Sequence, residues 1–169
     1  NASSLLVTRE TNEEIKTVTD IVRERDIKQL SSQIQSKKVA NVEVKQAEEG
    51  IILSIENIQF EAESAVLTDS EKAKLTNIGS MLASLKNRKL SIVGHAANPA
   101  GSDEKELLAL SADRAKSVAD FLVASGFRTK DSVVTRGMGG AKPIASNETA
   151  EGRSKNRRVE IVIGDEGVE

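Results

Sequence analysis

The feature that most constrains the fold is the stretch of residues 94–161, which contains three blocks of distinct character. The first block is typical of a strand end, a loop and a long amphipathic helix that stops at Gly126, and it reads GHAANPAGSDEKELLALSADRAKSVADFLVASG. The second, RGMGGAKPIASN, follows a short β-branched segment, and the third, TAEGRSKNRRVEI, leads into a final strand. Strands that alternate with helices predict an α/β fold with a mixed β-sheet, helices packed on it, and ligand-binding loops at the strand ends.

The elements before this stretch extend the pattern. Residues 39–44 alternate apolar and polar side chains, a turn-like segment interrupts them, and residues 51–58 resume a strand, which predicts a β-hairpin. Thr68 and Glu71 form a capping-box pattern ahead of a regular apolar stripe, which predicts an amphipathic helix. Further along we predict strands at 90–93, 133–135 and 159–163 and helices at 103–125 and 149–156.

Residues 10–36 contain neither glycine nor proline and are predicted to be helical. The apolar side chains of the first half (Ile15, Val18, Val22) lie about 100° around the helix from those of the second half (Ile27, Leu30, Ile34). We expect either a bend near residues 23–26 or two short helices packed on different surfaces. The chain is therefore divided into an N-terminal helical appendage or linker (1–38), a main domain (39–164) and a tail (165–169).

Composition excludes several classes of function. A net charge of -2 and the presence of three Phe with no Tyr or Trp argue against a nucleic-acid surface. The absence of cysteine excludes a disulfide framework and a thiol nucleophile. No apolar run approaches the roughly 20 residues of a membrane-spanning helix, so no span is expected. Because the chain starts at Asn1 without methionine, we expect a mature fragment or an excised domain.

In this order and at this spacing, the three blocks resemble the OmpA-like domain, a module that holds outer-membrane and periplasmic proteins non-covalently to peptidoglycan. The likeness covers about residues 40–164 and includes a Phe followed by Ser-Ala-x-Leu, matched here by Phe60, Ser64, Ala65 and Leu67. It implies an αβ sandwich of the OmpA-like type, a periplasmic, outer-membrane or other cell-envelope location, and a non-enzymatic function. The loop that begins at Phe60 is interpreted as a buried connection that anchors the next helix.

The resemblance also implies a site for the diamino acid of peptidoglycan stem peptides, which presents an ammonium close to carboxylates. In the family, the Asp of a Thr-Asp pair meets the ammonium. The Arg of Leu-Ser-x-x-Arg-Ala meets a carboxylate through two parallel hydrogen bonds, a geometry that suits Arg better than Lys. The Arg half is intact here, with Ser111 and Arg114 in the pattern, but Ala97 replaces the Asp and Leu107 replaces an assisting Asn.

Loss of a charged hydrogen-bond partner costs about 1.5–3 kcal/mol, or roughly 10- to 100-fold in affinity. We therefore expect peptidoglycan binding to be weakened. Two compensations stay open. In the first, Asp103 or Glu104 of a lengthened loop would supply the missing carboxylate. In the second, the ligand would be a different diamino acid, such as one without the second carboxylate.

The closing block and the first loop add further candidates. In the family the second Arg of Asn-Arg-Arg lies beside the pocket, which assigns Arg158 to the site, whereas Arg157 is interpreted as solvated. His95 is the only histidine and stands at a strand end. It is interpreted as structural or pocket-lining, because no Cys or second His is available for a metal site. Asn98 belongs to the same loop.

Two functions stay open from the sequence. The first is an envelope module that contacts peptidoglycan through the loop at 94–103, Arg114 and Arg158. The second is a degenerate module that keeps the fold but has lost peptidoglycan binding, and that serves as a structural or protein-interaction domain for other envelope proteins or an upstream domain. An enzyme is not expected, because the chain has no Cys, one His and no recognisable pairing of catalytic groups. No cofactor, metal or nucleic acid is expected.

Overall fold

The computed structural model describes residues 17–61, 64–85 and 87–165. Within these ranges the chain forms four α-helices and five strands, numbered here in chain order. The helices are α1 (Val18–Lys37), α2 (Asp69–Leu82), α3 (Glu104–Ala124) and α4 (Ala150–Asn156), with 3₁₀ turns at Ala83–Leu85 and Lys130–Ser132. The strands are β1 (Val42–Ala47), β2 (Gly50–Glu56), β3 (Leu90–His95), β4 (Val133–Gly137) and β5 (Arg158–Gly164).

The strands form a mixed sheet of order β1-β2-β5-β3-β4. β3 and β4 are parallel and are joined by α3, whereas β5 lies between β2 and β3 and is antiparallel to both. The predicted α/β class, the mixed sheet and the N-terminal hairpin are confirmed. β1 begins at Val42 rather than at residue 39, because Lys38 and Asn41 adopt left-handed backbone conformations, with φ of 53° and 60°, that turn the chain after α1.

One face of the sheet carries the hydrophobic core. In β5, Val159, Ile161 and Ile163 are buried in the core cluster and alternate with Arg158 and Glu160, which point the other way. Strands β2 and β3 add aliphatic residues to the core side, and α2 and α3 cover it with residues such as Leu75, Ile78, Leu82, Val118 and Leu122. We call this side the helix face and the side of Arg158 the opposite face.

The ends of α2 and α3 follow local sequence signals. The Thr68 hydroxyl accepts a hydrogen bond from the Glu71 amide at 3.3 Å, while the Glu71 carboxylate pairs with Lys74 at 3.3 Å. Helix α3 ends just before Gly126, whose φ of 81° lies in the left-handed region that glycine tolerates. The capping signals therefore place both helices as predicted.

Helix α3 approaches the backbone of β3 and β4 at two glycines. A Cβ on Gly94 would lie 2.1 Å from the Ser111 carbonyl oxygen, and one on Gly137 would lie 2.4 Å from the Ala112 amide nitrogen. Both distances are far below van der Waals contact, so only glycine fits. This contact sets the height of α3 above the sheet and, with it, the position of every side chain on the helix.

Helix α1 is a single helix that packs beside β1. Leu30 is buried in the core, and Ile27 and Ile34 pack against the same cluster, whereas Val18 and Ile21 are 77% and 55% exposed. The expectation of two short helices is wrong for the described part of this segment, and residues 10–16 lie outside that part. Among the described residues of the apolar stripe, only those of the second half contact the core.

Two charged residues occupy the break in that stripe. Arg23 makes paired hydrogen bonds to Asp165 at 2.8 and 2.7 Å and also donates to two carbonyl oxygens of the β1–β2 turn. Asp26, which is 1% exposed, accepts from Arg88 at 2.8 Å. The separation of residues 1–38 and of the tail from the main domain stays a prediction, but these ion pairs join α1 and Asp165 to the sheet.

We predict that Asp26→Ala lowers the free energy of unfolding by about 3 kcal/mol, because it removes the buried carboxylate that accepts a hydrogen bond from the Arg88 guanidinium. Urea denaturation followed by circular dichroism measures the change. Asp120→Ala is the matched control, because it breaks the exposed Lys116–Asp120 pair and should leave stability nearly unchanged. Equal effects of the two substitutions would show that the buried pair does not hold α1 in place.

Candidate functional site

Three chain segments meet at one end of the sheet. Glu56, the last residue of β2, is the register partner of Arg158, which in turn is the partner of His95 at the end of β3. Neighbouring strands lie about 4.8 Å apart, so the chain leaving β2, the chain entering β5 and the loop after β3 are close together here. The Asn57 and Ile58 amides donate to carbonyl oxygens of the segment just before β5, which fixes this arrangement. The loops at this end of the sheet therefore lie close together, and they form the candidate site.

Arg114 of α3 faces the loop that follows β2. Its Nε atom donates to the Ser64 carbonyl oxygen at 2.8 Å, and its guanidinium carbon lies 4.7 Å from the centre of the Phe60 ring. One turn further along, the Ser117 hydroxyl donates to the Ala65 carbonyl oxygen at 2.6 Å. The Nη1 and Nη2 atoms of Arg114 have no hydrogen-bond partner in the described part of the chain. The guanidinium is thus held through Nε and the ring, and its two-pronged end is available.

The loop that holds Arg114 is itself ordered by local contacts. Phe60 and Leu67 form an isolated β-bridge, and the Glu61 amide donates to the Val66 carbonyl oxygen at 2.8 Å. The Ser64 hydroxyl donates to the Glu61 carbonyl oxygen at 3.0 Å and accepts from the Val66 amide at 3.1 Å. The prediction that this connection is buried is wrong for most of its described residues, because Leu67 is buried but Val66 is 51% exposed. The backbone of the loop nevertheless positions the arginine.

Arg157 is the charged neighbour of Arg114. Burial, and then the positive charge of Arg157, lower the pKa of Arg114 below its ordinary value. Arg157 is half-buried and donates to the Ser154 hydroxyl at 3.2 Å, so the expectation that it is solvated is wrong. The alternation of side chains in β5 predicts this partial burial of Arg157. Residue 157 lies just before β5 and falls on the same face as the core residues Val159 and Ile161.

Arg158 lies on the opposite face instead. It is 3% exposed, its Nε donates to Glu160 at 2.9 Å and its Nη2 donates to the Lys142 carbonyl oxygen at 2.9 Å. The other Glu160 oxygen accepts from His95 Nε2 at 3.2 Å. The structure therefore places Arg158 and His95 together, as partners of one carboxylate, and does not bring Arg158 beside Arg114. Arg158 Nη1 and His95 Nδ1 are buried and lack a partner in the described residues.

Glu160 is held as a carboxylate by these neighbours. Burial by itself raises the pKa of Glu160, but the hydrogen bonds and charges of His95 and Arg158 outweigh it and lower the pKa from its ordinary 4.5 to about 2. A buried Arg-Glu-His cluster of this kind is a structural ion-pair network. It fixes the start of β5 against the end of β3.

Ser111 and Asn98 are used in the scaffold. The Ser111 hydroxyl donates to the Leu108 carbonyl oxygen at 3.0 Å and accepts from the Gly139 amide at 2.9 Å, and the residue is 1% exposed. The Asn98 amide donates to the side chain of Asn147 at 3.0 Å. Ala97, in the position of the family's Asp, is a buried methyl side chain with 7% exposure.

Asp103 caps α3 and does not approach Arg114. Its carboxylate accepts from the Lys105 amide at 2.9 Å, which satisfies a free amide at the start of the helix. Arg114 lies eleven residues further along, or roughly 16 Å at 1.5 Å per residue. Glu104 is exposed in the first turn of α3. The structure therefore gives no support to the compensation in which either acid replaces the missing Asp.

Asn156 is a structural residue whose role the sequence did not reveal. Its side chain is fully buried, accepts from the Ile144 and Ala145 amides at 2.7 and 3.0 Å, and donates to Asn147 at 2.8 Å. Because Asn147 in turn accepts from Asn98, one buried amide links the loops before α4 and after β3. Its only sequence signal was its place in the closing block.

The candidate site combines cationic and apolar groups. Arg114 and Arg157 supply positive charge, Phe60 supplies a ring, and Ala97 supplies a methyl group at the same end of the sheet. Within residues 17–61, 64–85 and 87–165, no group of three or more His, Cys, Asp or Glu is placed to hold a metal ion. In the same ranges no helix is both long and apolar enough to cross a membrane.

Comparison with known proteins identifies relatives for this arrangement. The model of a family described as the OmpA family matches residues 59–157, more than half of the chain. The chain is 36% identical over 123 residues to the probable lipoprotein YiaD of Escherichia coli strain K12, a match over 72% of this chain and 55% of that protein. It is 42% identical over 106 residues to the peptidoglycan-binding protein ArfA of Mycobacterium tuberculosis strain H37Rv, a match over 63% of this chain and 32% of that protein.

A solved structure shows the same fold. The cell wall anchor of the T6SS from Pseudomonas aeruginosa superimposes with a TM-score of 0.68 at 28% identity, over 85% of this chain and 99% of that one. The chain thus spans nearly the whole of this neighbour but only about half or less of the two curated relatives.

We predict that the contribution of Glu160 to stability is lost in acid. Because the folded pKa of about 2 lies below the ordinary 4.5, the contribution is complete above about pH 4.5 and disappears as the pH falls towards 2. Glu160→Gln should therefore be less stable than the parent at pH 7, and the difference should shrink between pH 4.5 and 2. Urea unfolding across this range measures it, with the exposed Glu106→Gln as control. A difference that is independent of pH would contradict the prediction.

Proposed function

The chain belongs to the OmpA family, and from this membership we propose that it is a non-enzymatic module of the cell envelope that contacts peptidoglycan non-covalently. The observation that carries the proposal is the Arg114 guanidinium, which is held by Ser64 and Phe60 while its terminal nitrogens lack partners among the described residues. A fixed guanidinium of this kind is suited to bind a carboxylate through two parallel hydrogen bonds.

The ligand is a stem peptide, and the group that Arg114 binds is a carboxylate of its diamino acid. The Nε contact to Ser64 fixes the plane of the guanidinium, so little side-chain entropy is lost when the ligand binds. Phe60 shields one face of the guanidinium from water, which strengthens the charge interaction. Arg158 and His95 contribute indirectly, because they fix the ends of β5 and β3 that flank the site.

The relatives support a place in the periplasm or at the outer membrane. One of them is described as a peptidoglycan-binding protein and another as a probable lipoprotein, and a structural neighbour is described as a cell wall anchor. A module that holds the wall without cleaving it needs no nucleophile or metal. Release of soluble muropeptides from intact sacculi by the purified chain would contradict the non-enzymatic assignment.

A second function is favoured by a specific observation. Ala97 and Leu107 replace the polar residues that the family uses beside the arginine, and neither Asp103 nor Glu104 lies near Arg114 to compensate. A module of this kind can keep the fold and serve as a structural or protein-interaction domain. Measured binding to sacculi decides between the two.

We predict that Arg114→Lys weakens co-sedimentation with purified sacculi by about 10-fold or more. Lysine keeps the charge but cannot form the paired hydrogen bonds, and a charged hydrogen bond contributes about 1.5–3 kcal/mol. Lys116→Ala, two residues along the same helix and exposed, is the matched control and should bind like the parent.

Circular dichroism and thermal unfolding should show that the Arg114→Lys variant keeps its fold. Equal sedimentation of the parent, Arg114→Lys and Lys116→Ala would remove Arg114 from the site. Absence of sedimentation for the parent would favour the degenerate module.

A further inference from the structure

Ser117 makes an unusual contact for a serine inside a helix. Such serines generally face solvent or donate to a carbonyl oxygen three or four residues earlier, as Ser111 does with Leu108. The Ser117 hydroxyl instead donates to the Ala65 carbonyl oxygen at 2.6 Å, across a sequence separation of 52 residues. Ser117 is half-buried, so this hydrogen bond joins α3 to the loop after β2 where water reaches it only in part.

Two adjacent carbonyl oxygens of that loop are held by the same helix. Arg114 donates through Nε to the Ser64 carbonyl oxygen at 2.8 Å. Ser117, one turn further along α3, donates to the carbonyl oxygen of the next residue. Successive carbonyl groups of an extended chain point in opposite directions, so the loop must be turned here for both to face α3. The Ser64 amide closes that turn by donating to the Glu61 carbonyl oxygen at 3.1 Å.

Little apolar burial holds this segment against α3. Among the described residues between Phe60 and Leu67 none is buried, and Val66 is 51% exposed. The hydrogen bonds to α3 therefore determine where Ser64 lies. The position of the Ser64 carbonyl oxygen in turn determines the plane of the Arg114 guanidinium, because Nε is bound to it.

We infer that Ser117 is a positioning residue for carboxylate binding by Arg114: its hydroxyl holds the loop at 64–65 and thereby presents the terminal nitrogens of the guanidinium in one plane. The inference rests on the proposed function, because it concerns how the same site binds a stem peptide. Ser117 acts through Arg114 and does not touch the ligand. Without its hydroxyl the loop segment shifts, the Nε contact weakens, and the guanidinium must be ordered again when the ligand binds.

The positioning is tested first without a ligand, by nuclear magnetic resonance of the isotopically labelled full chain. The Nε–H signal of Arg114 is identified by its absence from the spectrum of Arg114→Lys. We expect this signal in the parent and in Ser117→Thr, which keeps the hydroxyl. In Ser117→Ala it should be lost, because the freed Nε–H exchanges faster with water. An unchanged signal in Ser117→Ala would overturn the inference, whether or not a ligand binds.

A double-mutant cycle then tests the effect on binding. The probe is a synthetic stem tripeptide that ends in diaminopimelate, and its affinity is measured by isothermal titration. Ser117→Ala should weaken binding by about 3- to 10-fold, because one more side chain must be immobilised. In the Arg114→Lys background the same substitution should change the affinity by about 2-fold or less, because lysine has no planar fork to orient. Equal losses in both backgrounds would show a merely structural effect and would overturn the inference.

Ser132→Ala is the matched control. It also removes a hydroxyl that donates to a backbone carbonyl oxygen, that of Thr129 at 2.8 Å, but it lies before β4 at the other end of the sheet. It should leave the Arg114 signal and the affinity unchanged. Ser117→Thr should bind like the parent, and a loss equal to that of Ser117→Ala would show that the hydroxyl is not the cause. Thermal unfolding of each variant checks that the fold is intact.

The two measurements separate failure of the inference from failure of the proposed function. Binding by the parent together with an unchanged Arg114 signal in Ser117→Ala contradicts only the inference. Absence of binding by the parent to both the tripeptide and purified sacculi contradicts the proposed function and, with it, the role of Ser117 in binding.

Discussion

The close contact of α3 with the backbone of β3 and β4 is the constraint on which the rest of the structure depends. Gly94 and Gly137 leave no room for a Cβ beneath Ser111 and Ala112, so the helix is seated at one height and one register. Ser111 then ties the turn after β4 to the helix through Gly139. With α3 fixed in this way, Arg114 reaches the loop after β2, and the site is a consequence of helix packing.

The distribution of charge explains how the molecule separates scaffold from site. Arg23, Arg88 and Arg158 each pair with a carboxylate at less than 3 Å. The buried Arg128 instead donates to backbone carbonyl oxygens. Arg114 donates to a backbone carbonyl oxygen and lies over an aromatic ring, and no carboxylate pairs with it among the described residues. Its environment therefore lacks the anion that Arg23, Arg88 and Arg158 possess, and a ligand carboxylate is a group that would supply it.

Several residues that looked like ligand contacts in the sequence are part of the scaffold. Asp103 caps a helix, Ser111 fixes a turn, and Arg158 and His95 share the carboxylate of Glu160. The alternation of side chains in β5 was sufficient to place Arg158 on the face away from α3. The family resemblance had instead assigned Arg158 to the site from its position in the closing block. Side-chain parity was the more reliable signal, because it follows from strand geometry.

The sequence by itself determined the fold class, the order of the elements, the start of α2 and the end of α3, because periodicity, capping residues and glycine spacing act locally along the chain. The prediction that Arg114 belongs to a site came from the resemblance of its motif to the OmpA-like family. Only the tertiary structure decided the docking of α1 through Asp26 and Arg88, the pairing of Arg158 with Glu160, and the contact of Arg114 with Ser64. These contacts join residues from separate segments, whose distances depend on how the strands align and how the helices pack on them, and no local pattern encodes them.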